Sequence, residues 1–428
     1  MLPPAQSRHL FSVAATHSPQ YSHFQSEPSL AAAISAAASG KTPTGSSWAS
    51  TTKSHTKTGK GGWNASGDIS VNVIADLTMA YVEDATIATG GDLGISAAND
   101  TAIYMGSGAI TISKVRGGDS KGLAGSLAVN VTIADTKALV DGDVNVHGAA
   151  LDVSAIATTD NKVEALSEVT GDVNTGVGAS VAVHVVDHTT RAAVESGADI
   201  DGGFGFAPAS LALTATSDHG LITKGEGGAA GGTAIAASVA FVLSTVDTQA
   251  QLGTGVELVT AGAVSVNATH TSAVETTAKG DAEGSDVAIG AALGMNLLTH
   301  RTKASTARDI DAGGNVTFDA QTTLTSTAIG SASAGGGDSS DGANGETDAQ
   351  ADNQQGVGNS AAASKGARQN ADTSPSASGS ATSGNSKANS KSGSGGSGVG
   401  VAAAISFNIV TAQTEARITN GADVDAGG

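Results

Sequence analysis

Cysteine is absent from all 428 residues, which excludes a disulfide framework and thiolate metal sites. Aromatic residues make up only 3%, so a thick globular core would be hard to fill. Charged residues are also scarce, at 14% against roughly 25% in an average domain. Positive charge is scarcest: 40 acids against 21 bases leave a formal charge of −19. That balance argues against nucleic acid or anionic lipid as a partner, and for a self-repelling surface. No apolar run approaches the roughly 18 residues of a membrane-spanning helix, the longest candidate being the short, Ala-rich Leu30 to Ala38. Met1 to Ser29 carries Arg8 but no apolar core of secretory-signal type.

What the chain does have is glycine, 58 residues of it, and repetition. Laid in register, Thr78, Thr136, Thr190, Thr248, Thr302 and Thr414 form one column. Ala80, Ala138, Ala192, Ala250, Ala304 and Ala416 form the next, followed by Val82, Val140, Val194, Leu252, Thr306 and Ile418. The phrase Thr-x-Ala-x-Val has the two-residue period of a strand with a small apolar face. Each repeat opens on an earlier strand, such as Val181-Ala182-Val183-His184-Val185, in which large apolar residues alternate with small or polar ones. One face of that strand should be buried and the other open or covered by a neighbour. Repetition at about 54–58 residues predicts an all-β fold, a parallel β-helix or β-solenoid, with roughly two coils to each repeat. An Asn column at Asn72, Asn130, Asn296 and Asn408 suggests amide side chains paired along the stack.

The pattern divides the chain into a disordered leader over 1–60, solenoid repeats over 61–332, a flexible Gly/Ser/Asn/Asp-rich insertion over 333–397, and a partial sixth repeat over 398–428. The final phrase, Gly421 to Gly428, matches the middle of earlier repeats, so the chain is expected to be a piece of something longer.

No constellation of catalytic residues stands out. Gly118-Asp119-Ser120-Lys121-Gly122 fits the G-x-S-x-G nucleophile pattern, but it is followed by a strand-type repeat rather than a helix and reads as a turn. His184 and His188 are four apart, about 13 Å on an extended strand and too far to share an ion. The candidate metal ligands are the Asp-x-Asp pairs Asp199/Asp201, Asp309/Asp311 and Asp423/Asp425, whose carboxylates at successive corners could hold Ca²⁺. The same pairs also fit solvated Asp-Gly turns. Lys137, Arg191 and Lys303 share a column with Met79, Gln249 and Glu415, a mixture that suggests solvent exposure rather than substrate contact.

The phrase Gly178 to Gly203, echoed at Ala288 to Gly314 and Val401 to Gly428, resembles repeats of very large bacterial surface exoproteins, the haemagglutinin-like and autotransporter-type adhesins. That resemblance implies export to the bacterial outer surface, a solenoid stalk, and contact with a host or neighbouring cell surface, glycans or matrix. With neighbouring repeats of a longer parent as its other partners, the segment is expected to be non-enzymatic, structural and adhesive. The alternatives are a carbohydrate-active β-helix (polysaccharide lyase or hydrolase) and a calcium-stabilised extracellular module.

Overall fold

Side chains alternate in and out along every long strand, and that two-residue period organises the whole molecule. The computed structural model describes residues 6–12, 32–37, 46–58, 62–89, 91–113, 120–146, 148–171, 173–200, 208–336, 375–382, 386–394, 399–419 and 421–427. Its strands are β1 (Gln6–Ser12), β2 (Ala32–Ala37), β3 (Ser46–Thr58), β4 (Gly62–Ala88), β5 (Leu93–Ser113), β6 (Ser120–Asn145), β7 (Ala150–Gly171), β8 (Thr175–Val194), β9 (Ser210–Leu252), β10 (Leu258–Thr260), β11 (Val264–Thr306), β12 (Ile310–Ala312), β13 (Val316–Gly336), β14 (Pro375–Thr382), β15 (Ser386–Ser394), β16 (Val399–Ile418) and β17 (Val424–Ala426).

Fourteen of these strands form one sheet in which every pairing is parallel, while β10, β12 and β17 form a small separate sheet. The large sheet turns through 280° round an axis and closes into a nearly complete barrel. This corrects the expectation of an open repeating β-solenoid with two short coils to each repeat. The physical reason is strand length. β9 and β11 each run 43 residues with no Pro or Asp-Gly break, so the chain bends round within one strand instead of closing a coil of half that size. The bend in β9 falls at Gly231, whose φ of +155° suits glycine, and the matching bend in β11 falls at the register shift between Gly284 and Val287. Strands also form in parts of the two segments expected to be flexible, β1 to β3 in the leader and the end of β13, β14 and β15 in the insertion. The remaining residues of both segments, and the start of the G-x-S-x-G pattern, lie outside the described residues.

The sheet has two opposed faces. β5, β7, residues 210–231 of β9, residues 264–284 of β11, and β13 build the first. β4, β6, β8, residues 233–252 of β9, residues 287–306 of β11, and β16 build the second. On the second face the recurrent threonines pair in line, Thr78 with Thr136, Thr190, Thr248, Thr302 and finally Thr414. All six are buried, together with the Ala column beside them.

Between the faces the interior tapers. At one end Leu93, Leu151, Leu213, Val266 and Phe318 pack against the Ala and Val columns in the main core. At the other end small residues dominate, as in the cluster of Ala229, Ala236, Ala282 and Ala288, with Val169 and Val173 beside alanines in a neighbouring one. A Cβ on Gly225 would stand 2.7 Å from the Val239 carbonyl oxygen, and one on Gly294 would stand 2.5 Å from that of Ile329. Where the backbones approach this closely, inward positions must be small. The large residues of the opening strands therefore point outward and their small partners point inward. Asn296 and Asn408 do not pair with each other; both bond Ser326 across the interior, at 3.0 and 2.7 Å.

Arg308 ties successive turns together. It is 3% exposed, and its guanidinium donates to the carbonyl oxygens of Gly253 (2.9 Å), Ala198 (3.0 Å), Thr254 (3.3 Å) and Glu195 (3.4 Å). Removing a buried charged donor strips four carbonyls of a bond at once, although Thr254 and Glu195 keep backbone donors in Gly197 and Ala198. Arg308→Ala is expected to cost about 3 kcal/mol in urea denaturation, and Arg308→Lys to recover little of it, because an ammonium cannot span four carbonyls.

Candidate functional site

Midway along the taper the inward positions are polar, and four imidazoles meet there. His219 and His270 come from the first face, His188 and His300 from the second. His188 and His300 occupy one column, two residues before the recurrent Thr, with Val246 between them. Ring centroids lie 4.8 Å apart for His188–His219, 5.5 Å for His219–His270 and 4.8 Å for His270–His300. His188 Nδ1 meets His219 Nδ1 at 3.2 Å, and the longer chain runs Ser217 Oγ to His270 Nδ1 (2.7 Å), His270 Nε2 to His300 Nδ1 (2.8 Å), and His300 Nε2 to Ser244 Oγ (3.1 Å). Thr248 Oγ1 extends it beyond Ser217 at 2.6 Å. His184, one turn of the pattern away, pairs with Thr223 at 3.2 Å.

A neutral imidazole has one donor and one acceptor nitrogen, so this chain can be satisfied in either of two directions. In one, Thr248 donates to Ser217, Ser217 to His270, His270 to His300 and His300 to Ser244. In the other every donor reverses. Burial disfavours the charged form: it lowers His184 to about 3 and His188 and His300 to about 4, and it holds His219 and His270 well below the ordinary value. The imidazoles are therefore neutral bases near pH 7. Among the described residues the Nε2 atoms of His184, His188 and His219 have no hydrogen-bond partner.

This buried network of mutually bonded His, Ser and Thr side chains resembles a catalytic cluster. It overturns the expectation of a non-enzymatic, passive structural or adhesive segment, and with it the picture of a secreted repeat module. None of its members was singled out as catalytic by sequence reasoning. His184 and His188 were noticed only for their spacing, and they do not share a site: His184 faces Thr223, and His188 faces His219.

A second polar constellation lies outside, where solvent reaches it. On the outer surface of the first face Glu168 and Asp281 both pair in register with Gly228, one on each side of it. The missing side chain leaves a notch in a groove of about 580 Å³, lined also by Glu226, Glu283, Lys53 and Lys279. Asp281 accepts a bond from Lys279 at 2.6 Å and one from the Ser333 hydroxyl at 2.7 Å. The hydrogen bond from Lys279 to Asp281, more than the charge attraction that accompanies it, raises the Lys279 ammonium above its usual range.

The candidate calcium ligands are placed differently. Asp311 and Asp425 pair in register in the small sheet, and Asp309 accepts the Asp423 backbone N–H at 2.8 Å. Asp199 lies on a turn whose backbone carbonyl accepts Val144 N–H, and Asp201 lies outside the described residues. Among the described residues no three His, Cys, Asp or Glu side chains gather to hold a metal ion. Comparison with known proteins matches no family model, no curated protein and no solved structure.

Proposed function

We propose that this chain is a carbohydrate-active hydrolase that cleaves glycosidic bonds by general acid–base catalysis in the outer groove. The observation that carries this reading is the placement of Glu168 and Asp281 on either side of the Gly228 notch. Two strand spacings put their backbones about 9.6 Å apart, and side chains that lean towards each other over the notch would bring the carboxyl groups into the roughly 6.5–9.5 Å range that leaves room for a water on the far side of a sugar ring. Asp281, which accepts from Lys279 and Ser333, would orient and deprotonate that water. Glu168, which forms none of the described ion pairs, would protonate the leaving oxygen, and cleavage would invert the anomeric centre.

Charge narrows the substrate. Glu168, Glu226, Asp281 and Glu283 outnumber Lys53 and Lys279 in the groove, so a neutral or amino glycan suits it better than a polyuronate. This favours a hydrolase over a lyase, whose substrate carboxylate needs cations around it. The interior cluster has catalytic composition without access, since Ser217, Ser244, His270 and His300 are all at most 1% exposed.

The test is release of reducing ends from neutral and amino polysaccharides. Glu168→Gln and Asp281→Asn are each expected to lower the rate by at least about 100-fold. Full activity in both variants would refute the groove as the site. Ser217→Ala is assayed in parallel, because a loss confined to that variant would move the chemistry into the interior chain.

A further inference from the structure

The second face presents an outer surface unlike the first. Five successive outward columns, beginning at Ala65, Gly67, Ile69, Val71 and Val73 on β4, continue in register across β6, β8, β9, β11 and β16 without one polar or charged residue. The central column reads Val71, Val129, Val183, Phe241, Met295 and Phe407. None of these positions is buried: Val71 is 58% exposed, Phe407 47% and Val401 49%. The outward columns of the first face carry Lys162, Glu164, Lys224, Glu226, Lys279 and Asp281 instead, the composition expected of a solvated sheet.

We propose that this apolar plane is a dimer interface, on which a second copy of the chain packs face to face. Five columns about 6.6 Å apart and six strands about 4.8 Å apart span roughly 630 Å² before any flanking contact. A monomer's largest apolar patch is typically about 300–600 Å². Flanking side chains bring the plane close to the roughly 800 Å² that each partner contributes to a standard stable interface. Rows of β-branched and aromatic side chains with the small column of Gly67, Gly125, Ala179 and Ala237 between them form ridges and a groove, a relief that a copy of itself can fill. Charge points the same way. The rim carries both signs, with Asp135, Asp187 and Asp247 close to Lys137, Arg191 and Arg301, so two copies can meet without a single-sign field. A chain of net charge −19 would by contrast be repelled from an anionic bilayer.

Sedimentation of the full chain is expected to give twice the 41.2 kDa chain mass at micromolar concentration. Phe241→Lys and Val183→Lys, both outward at the centre of the plane, should raise the dissociation constant at least about 100-fold while the β circular dichroism of the folded chain stays unchanged. Thr216→Lys on the opposite face should leave the dimer intact. A monomeric wild-type chain, or a dimer indifferent to both lysine substitutions, would overturn the proposal. So would a monomer that floats with uncharged phosphatidylcholine vesicles, which would assign the plane to lipid.

Discussion

Acidification from pH 7.5 to pH 5 is expected to remove a large part of this protein's stability at room temperature. The five buried imidazoles have folded pKa values below the ordinary 6.5, chiefly through burial; for His188 the nearby Asp135 carboxylate opposes the shift. Between the folded and unfolded values the unfolded chain binds more protons, so stability falls as pH falls. The loss begins near pH 6.5 and ends only below about pH 4 for His188 and His300, and below about 3 for His184. Each histidine forfeits about 1.4 kcal/mol per pH unit in that window, which is about 2 kcal/mol apiece at pH 5. Taken as an upper limit, His184, His188 and His300 alone remove about 6 kcal/mol, against a typical domain stability of about 5–15. Urea midpoints measured from pH 8 to pH 4 should show a steep decline below 6.5. Replacing both His188 and His300 by Val, the residue that Val246 already supplies in that column, should make the decline shallower. A midpoint that stays flat down to pH 5 would contradict the burial of the cluster.

Methyl groups added at the narrow end should be nearly as damaging. A Cβ on Gly280 collides with the Ala291 carbonyl oxygen, and one on Gly178 with the Gly228 carbonyl oxygen. In both cases the obstacle is backbone of the opposing face, so no rotamer change relieves it. Gly280→Ala and Gly178→Ala are each expected to cost about 3 kcal/mol, the upper part of the overpacking range. Gly94 is also in a strand but points outward from the first face into open space, with nothing within 4 Å of an added Cβ. Alanine there should be neutral or stabilising by about 0.5 kcal/mol, since it removes backbone freedom from the unfolded chain. Equal denaturation midpoints for Gly280→Ala and Gly94→Ala would mean that the two faces do not approach as described.

These effects show what could be read in the sequence. The Thr-x-Ala-x-Val columns announce their register because side chains that stack on one another recur with the repeat, and Thr78 through Thr414 do pair in line. How far the chain travels in one circuit was not legible. A 54-residue period fits two short coils or one long bent strand equally well, and the bends at Gly231 and between Gly284 and Val287 carry no Pro or Asp-Gly signature. Which side of Val181-Ala182-Val183 faces inward was also hidden. It depends on how closely the opposite backbone approaches, and Gly225, Gly227 and Gly280 set that distance from elsewhere in the chain. The histidines did leave a trace. His188 and His300 share the inward parity of the buried Thr column, and His219 and His270 alternate in phase with Leu213 and Val266. No imidazole recurs in every repeat, so the histidines form no column of their own. Glu168 and Asp281 were invisible as a pair, since only the register through Gly228 brings them to one notch.

The ring nitrogens of His270 and His300 test the interior chain most directly. Nitrogen-15 spectra of the folded protein at pH 6 should show both imidazoles neutral, each with one protonated nitrogen, and a coupling across the 2.8 Å bond from His270 Nε2 to His300 Nδ1. Two rings that titrate freely near pH 6.5, with no coupling between them, would contradict it.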